Sequence, residues 1–281
     1  MAKNSKITFI GPGVMAEAMI AGLIRTGVAK GQDLLAAGPR PERGEQLAAA
    51  YGLIYTPDNA EAARQAGVLV LSVKPQQLDK VLARITGSLP QEALVLSIVA
   101  GAPMTHIAAA LQHPAIVRAM PNTPARIGAG ITVWTASQEA SPEQRKQAEG
   151  ILSALGQAVF VDEESFLDKA TALSGTGPAY VYLFMEAMVD AGVHLGFPRR
   201  VAEQLVVQTL RGSVEFYNQI EEGPRHLARL RNQVTSPGGT AAEALYYQEK
   251  AGFRTAISRA VWAAYERSRQ LGSGGEQKPP E

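Results

Sequence analysis

The chain has 281 residues, of which 46% are hydrophobic, so it is long enough for one large or two ordinary folded domains. Its lysines and arginines (27) nearly balance its aspartates and glutamates (26), which gives no electrostatic reason to expect nucleic acid or a membrane surface as a partner. The absence of cysteine excludes disulfides, cysteine-ligated zinc and thiol catalysis, and it fits a cytoplasmic location. We expect no signal-peptide core and no membrane span, because the apolar run near the N-terminus is short.

The first predicted elements are a strand, a glycine turn and a helix. Ile7–Ile10 is β-rich, and residues 11–16 read Gly-Pro-Gly-Val-Met-Ala before a helix-forming run. Gly11 allows the tight turn, Gly13 lets a pyrophosphate approach the backbone, and Ala16 lets the helix pack closely on the strand. The pattern favours a dinucleotide-binding turn over a tight turn without a ligand.

The second strand is predicted at Asp33–Ala37. A protein specific for NAD usually has an acidic residue at the end of this strand, but here the loop begins with Gly38 and contains Arg40 and Arg43. A guanidinium in this loop can pair with a 2′-phosphate, so the loop predicts a preference for NADPH. The alternative is that both arginines are ordinary solvated charges.

Three predominantly apolar runs follow, at 68–73, 94–99 and 116–120, as expected for strands of a buried parallel sheet. The loops after them are headed by Lys74, Gly101 and Asn122. In open α/β sheets ligands lie beyond the carboxyl ends of the strands, so we expect these loops to face the dinucleotide. Apolar runs at 130–134 and 158–161 extend the sheet, with a helix predicted between them.

After residue 164 the pattern changes to a helical period. Helices are predicted at about 166–173, 178–195, 198–220, 224–234, 240–251 and 253–271. We therefore predict a dinucleotide-binding domain at 1–163, a helical domain at 164–271 and a disordered Gly/Pro-rich tail at 272–281. Non-helical breaks are predicted at 174–178 and at the Ser-Pro-Gly-Gly turn near residue 236.

The helix from Pro178 is apolar on most sides, so it must be buried. A domain this small buries such a helix most easily against a second subunit, which predicts a homodimer. The alternative is a core formed entirely within one chain.

The stretch Thr235–Ala244 is a candidate anion site. A Ser-Pro-Gly-Gly turn runs directly into a helix-forming segment. The first N–H groups of a helix have no partner within it, and glycines let a ligand come close, so a small carboxylate fits there. The alternative is a plain loop with a helix cap.

Five motifs in this order carry a resemblance to a known family. They are Gly-x-Gly-x-Met-Ala at residue 11, Val-Lys-Pro at 73, Met-Pro-Asn-Thr-Pro at 120, Leu-Ser-Gly-Thr-Gly-Pro-Ala-Tyr at 173 and Thr-Ser-Pro-Gly-Gly-Thr at 235. The chain resembles the Δ1-pyrroline-5-carboxylate reductases from about residue 6 to residue 271. The resemblance implies an N-terminal Rossmann-type α/β domain followed by an all-α dimerisation domain. It also implies dimers, in some members assembled into decamers.

The resemblance further implies that a cyclic imine, pyrroline-5-carboxylate, is reduced to L-proline with NADPH or NADH. The positions it assigns to the cofactor are Gly11, Pro12, Gly13, Val14 and Met15 at the pyrophosphate; Asn59, Lys74 and Pro75 along the riboses; Met120 and Asn122 near the nicotinamide; and also Val73, Ala100, Gly101 and, from the loop chemistry above, Arg40. The positions assigned to the substrate are Asn122, Ser174, Ser236, Gly238, Gly239, Thr240 and Ala241. Thr240 is the candidate catalytic residue.

Three departures from the family pattern affect these expectations. Pro12 stands where Ala is frequent and lacks a backbone donor, and Val14 stands where a polar residue is frequent. Ala241 replaces a common Thr, so the usual hydroxyl for the substrate nitrogen is missing. That contact must then come from Thr240, from water or from another group.

The chemistry agrees with this resemblance, because a protonated imine is already electrophilic and hydride transfer to it needs no metal and no covalent nucleophile. One alternative is a β-hydroxyacid dehydrogenase, but the position of its catalytic Lys is Val181 here. A second alternative is a non-catalytic NADPH-binding regulator, which Ala241 favours.

Overall fold

The computed structural model describes residues 6–220 and 226–272, and the chain divides into two compact units. The first unit contains the described residues up to Pro178 together with those from Ala263 onward, and the second runs from Ala179 to Trp262. The boundary after residue 163 stays a prediction. The predicted tail lies outside the described residues except for Gly272, which ends the last helix.

The first unit is built on one sheet with the strand order β3-β2-β1-β4-β5-β6-β7-β8. The strands are β1 Lys6–Ile10, β2 Leu34–Ala37, β3 Ile54–Thr56, β4 Ala66–Leu71, β5 Leu94–Ser97, β6 Ile116–Met120, β7 Gly130–Ala136 and β8 Gly156–Phe160. Strands β1 to β6 run parallel, and β7 is antiparallel to β6 and parallel to β8. The strand order reverses between β1 and β4, which is where ligands bind in sheets of this kind.

Seven helices belong wholly to the first unit. They are α1 Val14–Arg25, α2 Pro41–Tyr51, α3 Asn59–Arg64, α4 Leu78–Ile85, α5 Met104–Leu111, α6 Pro142–Ser153 and α7 Ser165–Ala170. The predicted strand–turn–helix start and the predicted strands are confirmed, whereas the short strand β3 was not predicted. Its three residues are too few to show a period-2 pattern.

Both faces of the sheet are covered by helices. Val68 and Val70 of β4 lie in one apolar cluster with residues of α1, α2 and α6. Leu69 and Leu71 of the same strand lie in the other cluster with residues of α3, α4 and α5. Successive side chains of a strand point to opposite faces, so an unbroken apolar strand is what a doubly covered sheet requires. Full burial of one such side chain contributes about 1.5–3 kcal/mol to the stability of the fold.

The non-helical break predicted at 174–178 is wrong for most of its length. Residues 174–178 were expected to be non-helical, but α7 continues into a π-helical turn at Thr171–Gly175, and helix α8 begins at Gly177. The wide turn is held because the N–H of Thr176 donates to the carbonyl of Thr171 at 2.8 Å, which is the i to i+5 bond of a π-turn. The Thr176 hydroxyl donates to the same carbonyl at 2.8 Å.

The second unit is helical. Its helices are α8 Gly177–His194, α9 Arg199–Asn218, α10 Leu227–Gln233, α11 Thr240–Lys250 and α12 Phe253–Gly272, of which α8 begins and α12 ends in the first unit. The buried centre is small and consists of Val189, Ala202 and Val206. On α8, Leu183 stays 67% exposed in the single chain. Such exposure is what a helix that packs against a second subunit would show. No helix in the described ranges is long and apolar enough to cross a membrane.

Candidate dinucleotide and anion sites

The glycine turn after β1 forms a cradle without side chains. Gly11 has a φ of +91°, and a Cβ on it would lie 2.5 Å from Cγ1 of Val73. Gly13 is the N-cap of α1 and provides no side-chain cap, and Glu17 is the first residue whose N–H bonds back, to the carbonyl of Gly13 at 3.0 Å. The N–H groups of residues 14–16 are therefore free for a ligand. This geometry fits the pyrophosphate of a dinucleotide.

Replacing Gly11 by alanine is expected to weaken NADPH binding roughly tenfold or more, because the left-handed backbone and the contact with Val73 both resist a Cβ. The dissociation constant can be measured from the quenching of protein fluorescence by NADPH. Gly27→Ala is a matched control, because Gly27 also has a positive φ of +73° but has nothing within 4 Å of its Cβ position. Equal affinities in both variants would contradict the role of Gly11.

The loop after β2 uses its two arginines differently. Arg40 is exposed at the N-cap of α2. Arg43 turns inward, where its guanidinium pairs with Glu17 at 2.5 Å and its Nε donates to the carbonyl of Pro12 at 3.3 Å. The hydrogen bond from Arg43 lowers the pKa of Glu17 below its ordinary value. The suggestion that both arginines are ordinary solvated charges is therefore wrong for Arg43, and Arg40 is the one left free for a phosphate.

Asn59 has an unsatisfied buried acceptor. It is the first residue of α3, whose cap is Asp58, and its Oδ1 is buried without a hydrogen-bond partner in the protein. Buried polar atoms are normally paired, so an orphan acceptor fits a hydroxyl donor from a ligand. This agrees with the ribose position that the resemblance gives to Asn59.

Two further loops lie at the carboxyl ends of β4 and β5. Lys74 is exposed before a short 3₁₀ turn that begins at Pro75. Gly101 is buried and follows the half-buried Ala100, and the end of α12 lies against it, since a Cβ on Gly101 would come within 2.8 Å of the nitrogen of Gly272. Sequence reasoning did not place the end of the last helix at this loop.

The polar side-chain atoms of Asn122 and Ser174 are hydrogen-bonded within the protein. The Asn122 amide donates to the carbonyl of Ser174 at 3.1 Å, and its oxygen accepts from the N–H of Ile131 at 3.0 Å. The Ser174 hydroxyl donates to the carbonyl of Ala170 at 3.0 Å. Asn122 is buried after β6, next to the buried Met120. Both side chains bond to backbone groups of the protein, and the substrate contacts of Asn122 and Ser174 stay predictions.

Sequence reasoning missed a buried charge cluster around Arg118 of β6. Arg118 donates to Glu164 at 2.9 Å and to Asp168 at 3.0 Å, and its side chain is 4% exposed. The same carboxylates accept from the N–H of Met104 at 2.8 Å and from the hydroxyl of Ser268 at 3.0 Å. The available signal was a single arginine inside an apolar strand, because a buried charge needs partners.

The segment predicted to bind an anion forms a tight turn and an uncapped helix start in the second unit. Ser236 accepts through its carbonyl from the N–H of Gly239 at 3.0 Å, and Gly238 has a φ of +69°, as in a type II turn with Pro at its second position. Helix α11 then begins at Thr240 without a side-chain cap, and Glu243 is the first to bond back, to Gly239 at 3.2 Å. The N–H groups of residues 240–242 are therefore available to an anion, and the anion site itself stays a prediction.

A cavity of about 710 Å³ lies at the amino ends of β5 and β6 and contains none of the predicted site residues. His113 lines it and is buried, and its Nε2 donates to the carbonyl of Ala93 at 2.6 Å, as a structural histidine does. Within residues 6–220 and 226–272, no group of three or more His, Asp or Glu side chains could hold a metal ion.

Comparison with known proteins decides the family. A pyrroline-5-carboxylate reductase from Synechocystis sp. is 44% identical over 267 residues, covering 95% of this chain and 98% of that protein. The chain belongs to the pyrroline-5-carboxylate reductase family. A reductase of the same name from Pseudomonas aeruginosa is 40% identical and covers 95% and 96% of the two chains.

The family's structural features match as well. The family model for pyrroline-5-carboxylate reductase dimerisation matches residues 164–271, and a model for NADP oxidoreductases, coenzyme F420-dependent, matches residues 6–101. A crystal structure of Plasmodium falciparum pyrroline carboxylate reductase with NADP bound is similar, with a TM-score of 0.87 and 33% identity over 96% of this chain and 99% of that one. The fold is therefore the family's α/β domain followed by helices.

Proposed function

We propose that this protein reduces Δ1-pyrroline-5-carboxylate to L-proline, the last step of proline biosynthesis, with NADPH as the hydride donor. Membership of the reductase family supports this reaction over that of a β-hydroxyacid dehydrogenase. The single structural observation that carries the proposal is the uncapped first turn of α11, because the substrate's carboxylate needs donors of this kind.

The helical unit supplies the carboxylate site and the contact with the ring nitrogen. The free N–H groups at 240–242 bind the carboxylate, and the glycines at 238 and 239 let it approach the backbone. Thr240 carries a hydroxyl at the first position of α11, whereas Ala241 has none. Thr240 therefore holds the ring nitrogen and keeps it protonated, so that the neighbouring carbon accepts a hydride more readily.

The sheet unit binds and orients the dinucleotide. The Gly11–Gly13 turn holds the pyrophosphate, Asn59 accepts from a ribose hydroxyl, and the loops after β4 to β6 line the remaining length. When bound there, NADPH supplies the hydride. The protein's own contribution is to hold the two reactants in an orientation that allows hydride transfer. Such positioning accounts for a large share of the rate enhancement in reactions of this kind.

Arg40→Ala is expected to raise KM for NADPH about tenfold and KM for NADH less than twofold, because a charge-assisted bond to the 2′-phosphate is lost. Steady-state rates with each cofactor measure both constants. Arg84→Ala, which removes an exposed arginine on α4, serves as the matched control and should change neither. Equal effects on both cofactors would refute the 2′-phosphate role.

The proposed reaction is tested by mixing purified protein with NADPH and adding pyrroline-5-carboxylate. We expect NADPH oxidation only after the addition, with stoichiometric formation of proline. Turnover of a 3-hydroxy acid with no turnover of the imine would indicate the dehydrogenase alternative. Binding of NADPH without any turnover would indicate the regulator.

We also infer that the active form is a homodimer paired through the helical unit. The dimerisation match over 164–271 supports self-association, and the exposed apolar side chains of α8 supply a surface for it. Sedimentation of the pure protein distinguishes a monomer, a dimer and a decamer made of five dimers.

A further inference from the structure

Gly38, the first residue after β2, has no room for a side chain. A Cβ built on it would lie 2.8 Å from Cδ and 3.5 Å from Cγ of Pro12. Pro12 is buried, and its ring is closed onto the backbone, so it cannot move aside as the end of a flexible side chain could. Any side chain at position 38 therefore strains the contact with Pro12.

Both partners of this contact are held in place by other groups. The hydroxyl of Tyr55 donates to the carbonyl of Gly38 at 2.8 Å. The Nε of Arg43 donates to the carbonyl of Pro12 at 3.3 Å, and the N–H of Gly11 donates to the carbonyl of Ala37 at 2.9 Å. Neither the turn nor the end of β2 can shift to admit a larger residue without breaking one of these bonds.

Position 38 is where a dinucleotide site specific for NAD holds its ribose. It lies 22 residues after Ala16, directly beyond β2, where a carboxylate normally accepts from the 2′-hydroxyl. A Cβ on Gly38 would point toward Pro12 in the Gly11–Gly13 turn, to which the proposed function assigns the pyrophosphate.

We propose that Pro12 is a specificity-determining residue, because its ring keeps the carboxylate of a NAD-specific site out of position 38. This inference rests on the proposed NADPH-dependent function and deepens it. Arg40 attracts the 2′-phosphate, whereas Pro12 excludes the group that would repel it. The effect of Pro12 appears only when residue 38 carries a side chain, so it is tested by changing both positions together.

A double-mutant cycle with Pro12→Ala, Gly38→Asp and the double variant tests the proposal. Isothermal titration with NADP⁺ and NAD⁺, without substrate, measures binding, and thermal unfolding of the free protein measures the strain. We expect Gly38→Asp alone to lower the melting temperature and to weaken both cofactors. We expect Pro12→Ala alone to leave the ratio of the two dissociation constants within about twofold, because it removes no group that distinguishes the phosphate.

The double variant, Pro12→Ala with Gly38→Asp, gives the result that distinguishes the proposal from its alternatives. It should recover the melting temperature of Pro12→Ala and bind NAD⁺ roughly tenfold more tightly than Gly38→Asp does, since one charge-assisted bond to the ribose is gained. Additive effects around the cycle would overturn the proposal, and so would a switch to NAD⁺ by Gly38→Asp alone without loss of stability. Failure of the wild-type protein to bind NADP⁺ would instead refute the proposed function, so the two failures are distinguishable.

Discussion

Thr240→Ala should lower kcat/KM for pyrroline-5-carboxylate about 100-fold, the size expected when a group that assists proton transfer is lost. Thr240 provides the hydroxyl at the start of α11, and its neighbour Ala241 provides none. The carboxylate would still bind the backbone N–H groups, so most of the loss should fall on kcat and little on KM. Initial rates at saturating NADPH and varied imine concentration give both constants.

Two further variants make this result interpretable. Thr209→Ala removes a threonine hydroxyl that donates to the carbonyl of Leu205 on α9, far in sequence from the anion site, and should leave kcat/KM unchanged. Adding Ala241→Thr to Thr240→Ala restores a hydroxyl one position along and should recover part of the lost rate. An unchanged rate in Thr240→Ala would mean that water or another group holds the ring nitrogen.

Arg118→Met should lower the free energy of unfolding by about 3–5 kcal/mol, because Glu164 and Asp168 would lose the cation that compensates them. The arginine is almost fully buried and bonds both carboxylates. Its Nε is buried without a partner, so its two terminal nitrogens make all of its bonds to the two carboxylates. Urea unfolding followed by circular dichroism measures the change.

Arg211→Met is the matched control for this substitution. Arg211 also pairs with a glutamate, Glu215, at 2.8 Å, but the two side chains are 70% and 52% exposed. An exposed pair four residues apart on a helix contributes about 0.3–0.5 kcal/mol, so the control should unfold nearly as the wild type does. A loss at Arg118 as small as the control's would show that the two carboxylates are stabilised without it.

The parts of the fold that were predictable are those with local signals. The strand at Ile7–Ile10, the glycine turn and α1 follow each other along the chain, and each step has its own residue pattern. The apolar runs at 68–73 and 94–99 are long enough to indicate strands covered on both faces. The break at 174–178 was predicted wrongly because Gly and Pro usually interrupt helices, whereas here the N–H and the hydroxyl of Thr176 both donate to the carbonyl of Thr171 and close a π-helical turn.

The sequence signal for the proposed anion site also lies within one short segment. Its turn, its two glycines and the first turn of α11 occupy consecutive residues, so the order of residue types was enough to place free N–H groups there. The dinucleotide turn had the same advantage. Both sites depend on backbone groups of one short segment, and backbone donors at a helix start do not require a distant partner.

The sequence by itself determined the two-part fold, the glycine turn after β1, the uncapped start of α11 and the family resemblance, because each follows from neighbouring residues. Only the tertiary structure decided how separated residues are used. It turned Arg43 inward to Glu17, paired Asn122 with Ser174, surrounded Arg118 with two acids and placed Pro12 against Gly38. The physical reason is that a side chain's partner is set by the packing of strands and helices that lie tens of residues apart, which no local pattern records.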